Sequence, residues 1–442
     1  MRAEILTIGD ELCRGEIVDG NSAYLASRLW DMDITTRWMS SCCDDEPDIA
    51  AALSLASSRA DLVICSGGLG PTEDDLTVDV VSRLAGVSPV MDEAARLRLE
   101  ALFAGRFAVT PIQLRQVRVP EGALVHGNPL GLAPCFEVKI GGASVVCLPG
   151  FPREIHGIFD QALVARLREL REAEGASERI ARRIYRVFGR GESQISQACR
   201  GLIDGAPGTT IHYQVKFPEV LVKLVVRDAD QEAASRRLAE LDVDLRQRLS
   251  PYVYGTGDET LIERVARRLL EARRTVATAE SCTGGMIGEL LTRQPGSSAS
   301  FLGGAIVYSN HEKTRQLGVR PETLEAHGAV SEETVREMAY GACDRFGTDY
   351  AIAVSGVAGP DGGTPDKPVG TVWLALAIKI PKIPLMSDIL MSTRKLSWPG
   401  ARDQIRTLAA WWGLAMIDAA EPSNDLLERA RADWILEQDQ GA

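Results

Sequence analysis

The 442-residue chain carries nine cysteines but no C-x-x-C pair. That absence argues against a zinc ribbon and against a disulfide framework. Its five histidines (His126, His156, His212, His311 and His327) are far apart, with no helix-spaced pair to seed a metal site. No apolar run is long enough to cross a bilayer, and the N-terminal residues lack the long apolar stretch of a secretory signal. Surplus positive charge is missing too. A net charge of -12 argues against a nucleic-acid-binding surface, and the basic pairs Arg182-Arg183 and Arg267-Arg268 read as solvated faces, so direct nucleic-acid binding is not expected. The expectation is a cytoplasmic chain without a membrane partner. Its length, with ordinary hydrophobic (45%) and charged (25%) content, implies two or three globular domains.

Residues 1–165 alternate strand-like and helix-like segments, the pattern of an α/β doubly wound sheet. Glu4 to Ile8 reads as a strand ending at Gly9-Asp10. Asp61 to Ser66 reads as a buried strand that runs into Gly67-Gly68-Leu-Gly70-Pro-Thr72-Glu-Asp74-Asp75. Glycines after a strand expose backbone N–H groups as an anion nest, and Pro71 suits the start of a helix. Glu73, Asp74 and Asp75 favour a helix N-terminus whatever the function, yet three carboxylates beside a phosphate nest also suit a divalent cation. Residues 166–255 read as a small α+β linking module, with strand-like runs near Thr210–Val215 and Val220–Val226 and an amphipathic helix over Gln231–Leu249. Residues 256–420 form a third, α/β domain, and 421–442 a polar, acidic tail.

In the third domain Thr275 to Ala279 is a short β-branched and small-residue run, followed without a linker by helical spacing over Ser281–Leu291. A strand turning directly into a helix presents free N–H groups and positive potential. Ser281 sits at that point, and Gly284 and Gly285 let a ligand approach the backbone. The serine reads either as a helix cap or as a nucleophile with oxyanion donors beside it. A second strand, Ala305 to Tyr308, leads to a helix capped by Ser309 or Asn310, which places Lys313 in the first helical turn. The positive dipole end there would depress a lysine's pKa, giving a serine its base where no histidine is near. Tyr308 can relay a proton. A third loop, Ser355 to Gly363, follows an apolar strand and holds Gly356, Gly359 and Gly362.

These segments carry a resemblance. Ala279-Glu-Ser-Cys-Thr-Gly-Gly285, Tyr308-Ser-Asn310 with Lys313, Ser355 to Gly363, and Lys367-Pro-Val-Gly-Thr-Val-Trp373 resemble the C-terminal domain of the CinA family, found alone as PncC. Thr7-Ile-Gly-Asp-Glu-Leu12, Asn21, the Gly67–Thr77 loop, Asn128-Pro-Leu-Gly-Leu-Ala-Pro134 and Leu148-Pro-Gly-Phe-Pro-Arg-Glu154 resemble that family's N-terminal, MogA/MoaB-like molybdopterin-binding fold. The resemblance implies a nicotinamide mononucleotide deamidase that uses no cofactor, with Ser281, Lys313 and Tyr308 catalytic and Glu280, Thr283, Gly284, Gly285 and Asn310 at the substrate. Chemistry, not motif, assigns Gly356, Gly359, Gly362 and Arg402 to the phosphate.

For the N-terminal domain the resemblance implies a metal-dependent ADP-ribose pyrophosphatase. Gly9, Asp10, Asn21, Gly67, Gly68, Gly70, Thr72 and Asn128 would hold ligand there, with Asp74 and Asp75 on a divalent metal. Leu132-Ala-Pro-Cys135 stands where the family has Thr-Ala-Pro-Gly, a departure that bears on this activity rather than on the fold. The alternative is a non-catalytic pterin- or nucleotide-binding module of a competence/damage-inducible protein. The resemblance also implies a homodimer acting on small nucleotides.

Overall fold

The computed structural model describes residues 1–105, 108–173, 175, 179–380 and 388–420, so the expected acidic tail at 421–442 lies outside the described residues. Two compact units result, Met1–Arg179 and a second beginning at Ile180.

The first unit is built on a six-stranded sheet. Strands Thr35–Cys42, Arg2–Ile8, Leu62–Ser66 and Ala143–Leu148 lie side by side in parallel. The sheet then continues through antiparallel Cys135–Ile140 and Leu124–His126. The alternation along the sequence marks the parallel core; the antiparallel extension comes from a hairpin whose tight Gly141-Gly142 turn needs positive φ at its first residue. Two hydrophobic clusters cover the faces, one around Leu53, Val81 and Phe136, the other around Leu29, Phe159 and Leu167. The helix Val164–Ala173 belongs to this second cluster, through Leu167 with Val164 and Leu170 packed against it, rather than to the middle module. All parallel strands point their carboxyl ends toward the Gly67–Asp75 loop, the edge where ligands gather in such sheets.

The second unit starts with a four-stranded sheet in the order Thr209–Lys216, Glu219–Asp228, Arg179–Phe188, Val253–Thr256, backed by helices Glu192–Ala198 and Gln231–Leu249. This is the α+β module, its core centred on Tyr185, Val222, Leu224 and Leu245.

A five-stranded sheet follows in the order Phe301–Ile306, Val276–Glu280, Tyr350–Gly356, Thr371–Lys379, Ile389–Ser397. The first three strands are parallel and the last two antiparallel. Helices Leu261–Glu271, Met286–Thr292 and Arg402–Ala419 close one face over Val276, Ile352 and Leu374, with Leu414 of the last helix packed among them. Asn310–Leu317 and Glu332–Phe346 close the other over Ala279 and Ala353, with Met338 of the second helix packed among them. Small alanines on the strand centres let these helices come close. At Gly341 an added Cβ would fall 1.9 Å from the carbonyl oxygen of Leu317, so only glycine permits that helix contact. Thr260 and Glu263 form a capping box that starts the first helix. No helix among the described residues is long and apolar enough to cross a membrane.

Candidate functional site

The best-formed constellation lies at the carboxyl ends of Val276–Glu280 and Phe301–Ile306. The strand Val276–Glu280 is fully buried and stops at Ser281. The expected helix does not begin there: residues 281–285 form an irregular turn, and the helix runs Met286–Thr292. Gly284 and Gly285 both take positive φ, 62° and 97°, which would strain any other residue. Ser281 is therefore not a helix cap.

What caps this helix is Glu280. Its carboxylate is completely buried and accepts hydrogen bonds from the amides of Gly285 (3.0 Å), Ile287 (3.1 Å) and Gly288 (2.9 Å). With both oxygens committed to the backbone, Glu280 shapes the turn from beneath. Its expected place at the substrate is corrected accordingly.

Lys313 approaches from the neighbouring helix, Asn310–Leu317, whose N-cap Ser309 accepts from the Glu312 amide. The lysine is 1% exposed and Ser281 8%. Its ammonium group lies 3.1 Å from Ser281 Oγ and donates to the carbonyls of Val307 (2.9 Å) and Tyr308 (3.2 Å). Burial pushes the Lys313 pKa down to about 8, opposed by the nearby Cys282. The sequence expectation of a depressed lysine has the right direction but a different cause, namely removal from water rather than the helix dipole. Among the described residues no carboxylate pairs with it.

The Ser281 amide donates to Val354 (3.0 Å) and that of Gly284 to Ser281 (3.1 Å). Among the described residues, the amides of Cys282 and Thr283 make no hydrogen bond to another residue, so these two remain as donors at the turn. The fully buried Thr283 hydroxyl likewise has no partner among the described residues. Cys282 packs into the core, and burial pushes its thiol up to about 12, which leaves it protonated and unreactive. Arg406, which sequence reasoning missed, donates to the carbonyls of Cys282 (3.2 Å) and Thr283 (3.0 Å) and fixes the outer side of the turn. Its only sequence signal is its place one turn beyond Arg402.

The remaining candidates form the rim. Tyr308 is 63% exposed, and its hydroxyl accepts from Arg402 at 3.3 Å rather than meeting Ser281 or Lys313. It is the Tyr308 carbonyl that touches the lysine. Arg402 also donates to the Gly359 carbonyl (2.7 Å), tying the Ser355–Gly363 loop to Tyr308. Gly356 is close-packed, since a Cβ there would lie 2.6 Å from Val372 Cγ2. Gly362 and Asn310 are exposed.

In the first unit a cavity of about 380 Å³ opens beside the glycine loop, lined by Gly9, Glu11, Asp44, Gly67, Gly68, Gly70, Asp74, Leu132, Gly150 and Glu154 among others. Several expected ligand contacts turn out to be loop braces. Asn128 is buried, donates to Ala133 and Glu154, and accepts from the amides of Leu130 and Gly131. Asn21 donates to the Gly150 carbonyl (2.8 Å). Asp75 accepts from the amides of Gly70 and Thr72 (both 2.8 Å) and from the Thr72 hydroxyl. The amides of Asp10 and Asp44 each donate to the other's carboxylate.

With Asp75 spent in this way, and no group of three or more His, Cys, Asp or Glu side chains disposed around a common centre among the described residues, Asp74 and Asp75 do not fit a metal pair in this arrangement. Asp44, missed from sequence, lines the cavity; burial, with the like charges of Asp10, Glu11 and Asp74, pushes its carboxyl up. Cys135 is no loop residue: it lies in an extended strand paired with His126, buried, so the glycine it replaces was not needed for positive φ. Leu132 does face the cavity and packs on the Ala95–Leu99–Val117 cluster.

The molecule thus combines an open α/β unit that carries a glycine-rich cavity with a three-layer α/β domain that sets a serine against a buried lysine. Residues 258–420 match the family described as CinA C-terminal domain, 4–169 that described as probable molybdopterin binding domain, and 182–255 the damage-inducible protein CinA KH domain. The chain is 40% identical over 419 residues to a CinA-like protein of Myxococcus xanthus, covering 94% of this chain and 97% of that one. It is 36% identical to a CinA-like protein of Kosmotoga olearia (95% and 99% covered). The competence/damage inducible protein CihA of Agrobacterium tumefaciens, a solved structure, is 38% identical over 36% of this chain and 96% of that one, with a TM-score of 0.34. The chain belongs to the CinA family.

Proposed function

We propose that the C-terminal domain hydrolyses the carboxamide of nicotinamide mononucleotide to nicotinate mononucleotide and ammonia. The observation that carries this reading is the 3.1 Å contact between Ser281 Oγ and a buried lysine whose pKa is pushed down to about 8. A lysine so depressed is neutral in roughly a tenth of molecules at pH 7, and the neutral amine is the base a serine requires. Ser281 Oγ attacks the carboxamide carbon while Lys313 takes its proton. The oxyanion meets the amides of Cys282 and Thr283, which no other described residue engages. Lys313 then returns the proton to the departing nitrogen, ammonia leaves, and water repeats the sequence on the acyl ester. Arg402, with Tyr308, sits at the exposed rim where a phosphate would lie. Specificity for a nucleotide amide rests on the family resemblance and on this cationic rim. Incubating the protein with nicotinamide mononucleotide under chelator and separating the products tests it: nicotinate mononucleotide and ammonia in equal amounts are expected, and unchanged substrate would refute it.

For the N-terminal unit the bracing role of Asp75 and the apolar Leu132 in the cavity wall favour binding of a nucleotide or pterin without cleavage. Saturable ADP-ribose binding with no release of AMP, with or without added Mg²⁺ or Mn²⁺, is the expected outcome. Metal-dependent AMP release would restore the pyrophosphatase reading.

A further inference from the structure

In the second unit a cavity of about 680 Å³ opens between the small α+β module and the edge strand Ile389–Ser397. Its volume is that of a small-molecule site. The two modules meet at Gly189: an added Cβ there would lie 3.0 Å from Trp412 and 3.3 Å from Tyr252, so the glycine brings both rings together. Each ring carries a guanidinium. Arg190 stands 4.4 Å over the Tyr252 ring and Arg394 3.7 Å over Trp412. Among the described residues neither arginine has a carboxylate within ion-pairing distance. Burial lowers the Arg394 pKa, as it does for a cation short of a counter-charge.

The lining is also aromatic. Phe217 stacks on Trp398 with ring centroids 5.6 Å apart and an interplanar angle of 29°. Of the two lining carboxylates, Glu219 is spent on Arg186 (2.7 Å) and the Tyr254 hydroxyl (2.5 Å), and Glu192 is exposed on the rim. Lys395 adds no charge inside, because strand alternation turns its side chain to the other face, over Trp373.

A cavity that joins two uncompensated guanidiniums to a stacked aromatic pair selects a planar base bearing a phosphate. We infer that this cavity is a second nucleotide site, taking a free nucleoside monophosphate with its base against Phe217 and Trp398 and its phosphate between Arg190 and Arg394. The site is independent of the amide hydrolysis proposed above and uses none of its residues.

Photo-crosslinking the full chain with 8-azido-adenosine monophosphate, followed by peptide mapping, tests it. Adducts on the Phe217 and Trp398 peptides are expected, competed by adenosine monophosphate and not by adenosine. In parallel, adenosine monophosphate affinity read by tryptophan fluorescence should fall about tenfold or more in Arg190→Gln and in Arg394→Gln. Arg190 is exposed, so its variant keeps the test valid if Arg394→Gln misfolds. Deamidation should be unchanged in Arg190→Gln. Absence of adducts on these peptides, or equal affinity in wild type and Arg190→Gln, overturns the inference. So does tight, steeply salt-dependent capture of a single-stranded oligonucleotide with no mononucleotide binding, which would mark a strand-binding surface instead.

Discussion

Lys313 reaches Ser281 Oγ at 3.1 Å while holding the carbonyls of Val307 and Tyr308, so a cation is lodged under the serine hydroxyl by groups that accept hydrogen bonds but carry no charge. In the proposed reaction the neutral amine keeps its two N–H donors on these carbonyls and turns its lone pair to the serine hydroxyl, so that one lysine serves as base and then as acid.

The pH dependence follows with a definite sign. In the proposed reaction the neutral amine is the active form, so turnover should rise with pH and level off above about 8. The same depressed pKa makes stability rise with pH between about 8 and the ordinary lysine value, because over that window only the unfolded lysine remains protonated. A pH–rate profile and a pH series of thermal melts check the two halves. Loss of the rate inflection in a variant other than Lys313 would count against the assignment.

Glu280→Gln tests the turn rather than the chemistry. Both carboxylate oxygens accept backbone N–H groups, and an amide NH₂ would face one of those donors. Loss of about 1–3 kcal/mol of stability is expected, with a fall in kcat as the Cys282 and Thr283 amides move. Chemical denaturation measures the first, steady-state kinetics the second. A fully stable, slow variant would instead put Glu280 at the substrate.

Gly284→Ala isolates the backbone. Only the Arg406 guanidinium nitrogen, at 3.8 Å, lies near the added Cβ, so the cost is that of positive φ alone, about 1 kcal/mol. Gly341→Ala should cost more, since its Cβ would strike the Leu317 backbone. Comparing the two melting temperatures decides whether the clash or the conformation dominates.

Tyr308→Phe leaves the carbonyl that holds Lys313 in place and removes only the hydroxyl bound to Arg402. A higher KM with kcat within about threefold is expected, and Arg402→Ala should do the same. A collapse of kcat in Tyr308→Phe would return the tyrosine to proton transfer.

Much of the C-terminal site is legible in the order of residues alone. Ser281 and Lys313 lie 32 residues apart, yet each follows a short apolar strand, and parallel neighbouring strands bring their carboxyl ends together. What stays hidden is the second use of polar side chains. Glu280, Asn128 and Asp75 occupy motif positions and look like ligands, but each turns inward to satisfy backbone groups of an irregular loop, a demand that arises only once the loop has a path. Cys135 misleads in the opposite way: a cysteine in place of glycine suggests strain, whereas the position is plain extended strand. Arg406 and Asp44 act through tertiary proximity alone, which spacing along the chain does not encode.

The decisive measurement is ammonia release from nicotinamide mononucleotide by the wild type, Ser281→Ala and Lys313→Ala in metal-free buffer, with folding checked by circular dichroism. The pairing of Ser281 with Lys313 requires turnover in the wild type and a loss of about a thousandfold or more in each folded variant. Turnover that survives either substitution, or a folded wild type that releases no ammonia, would contradict it.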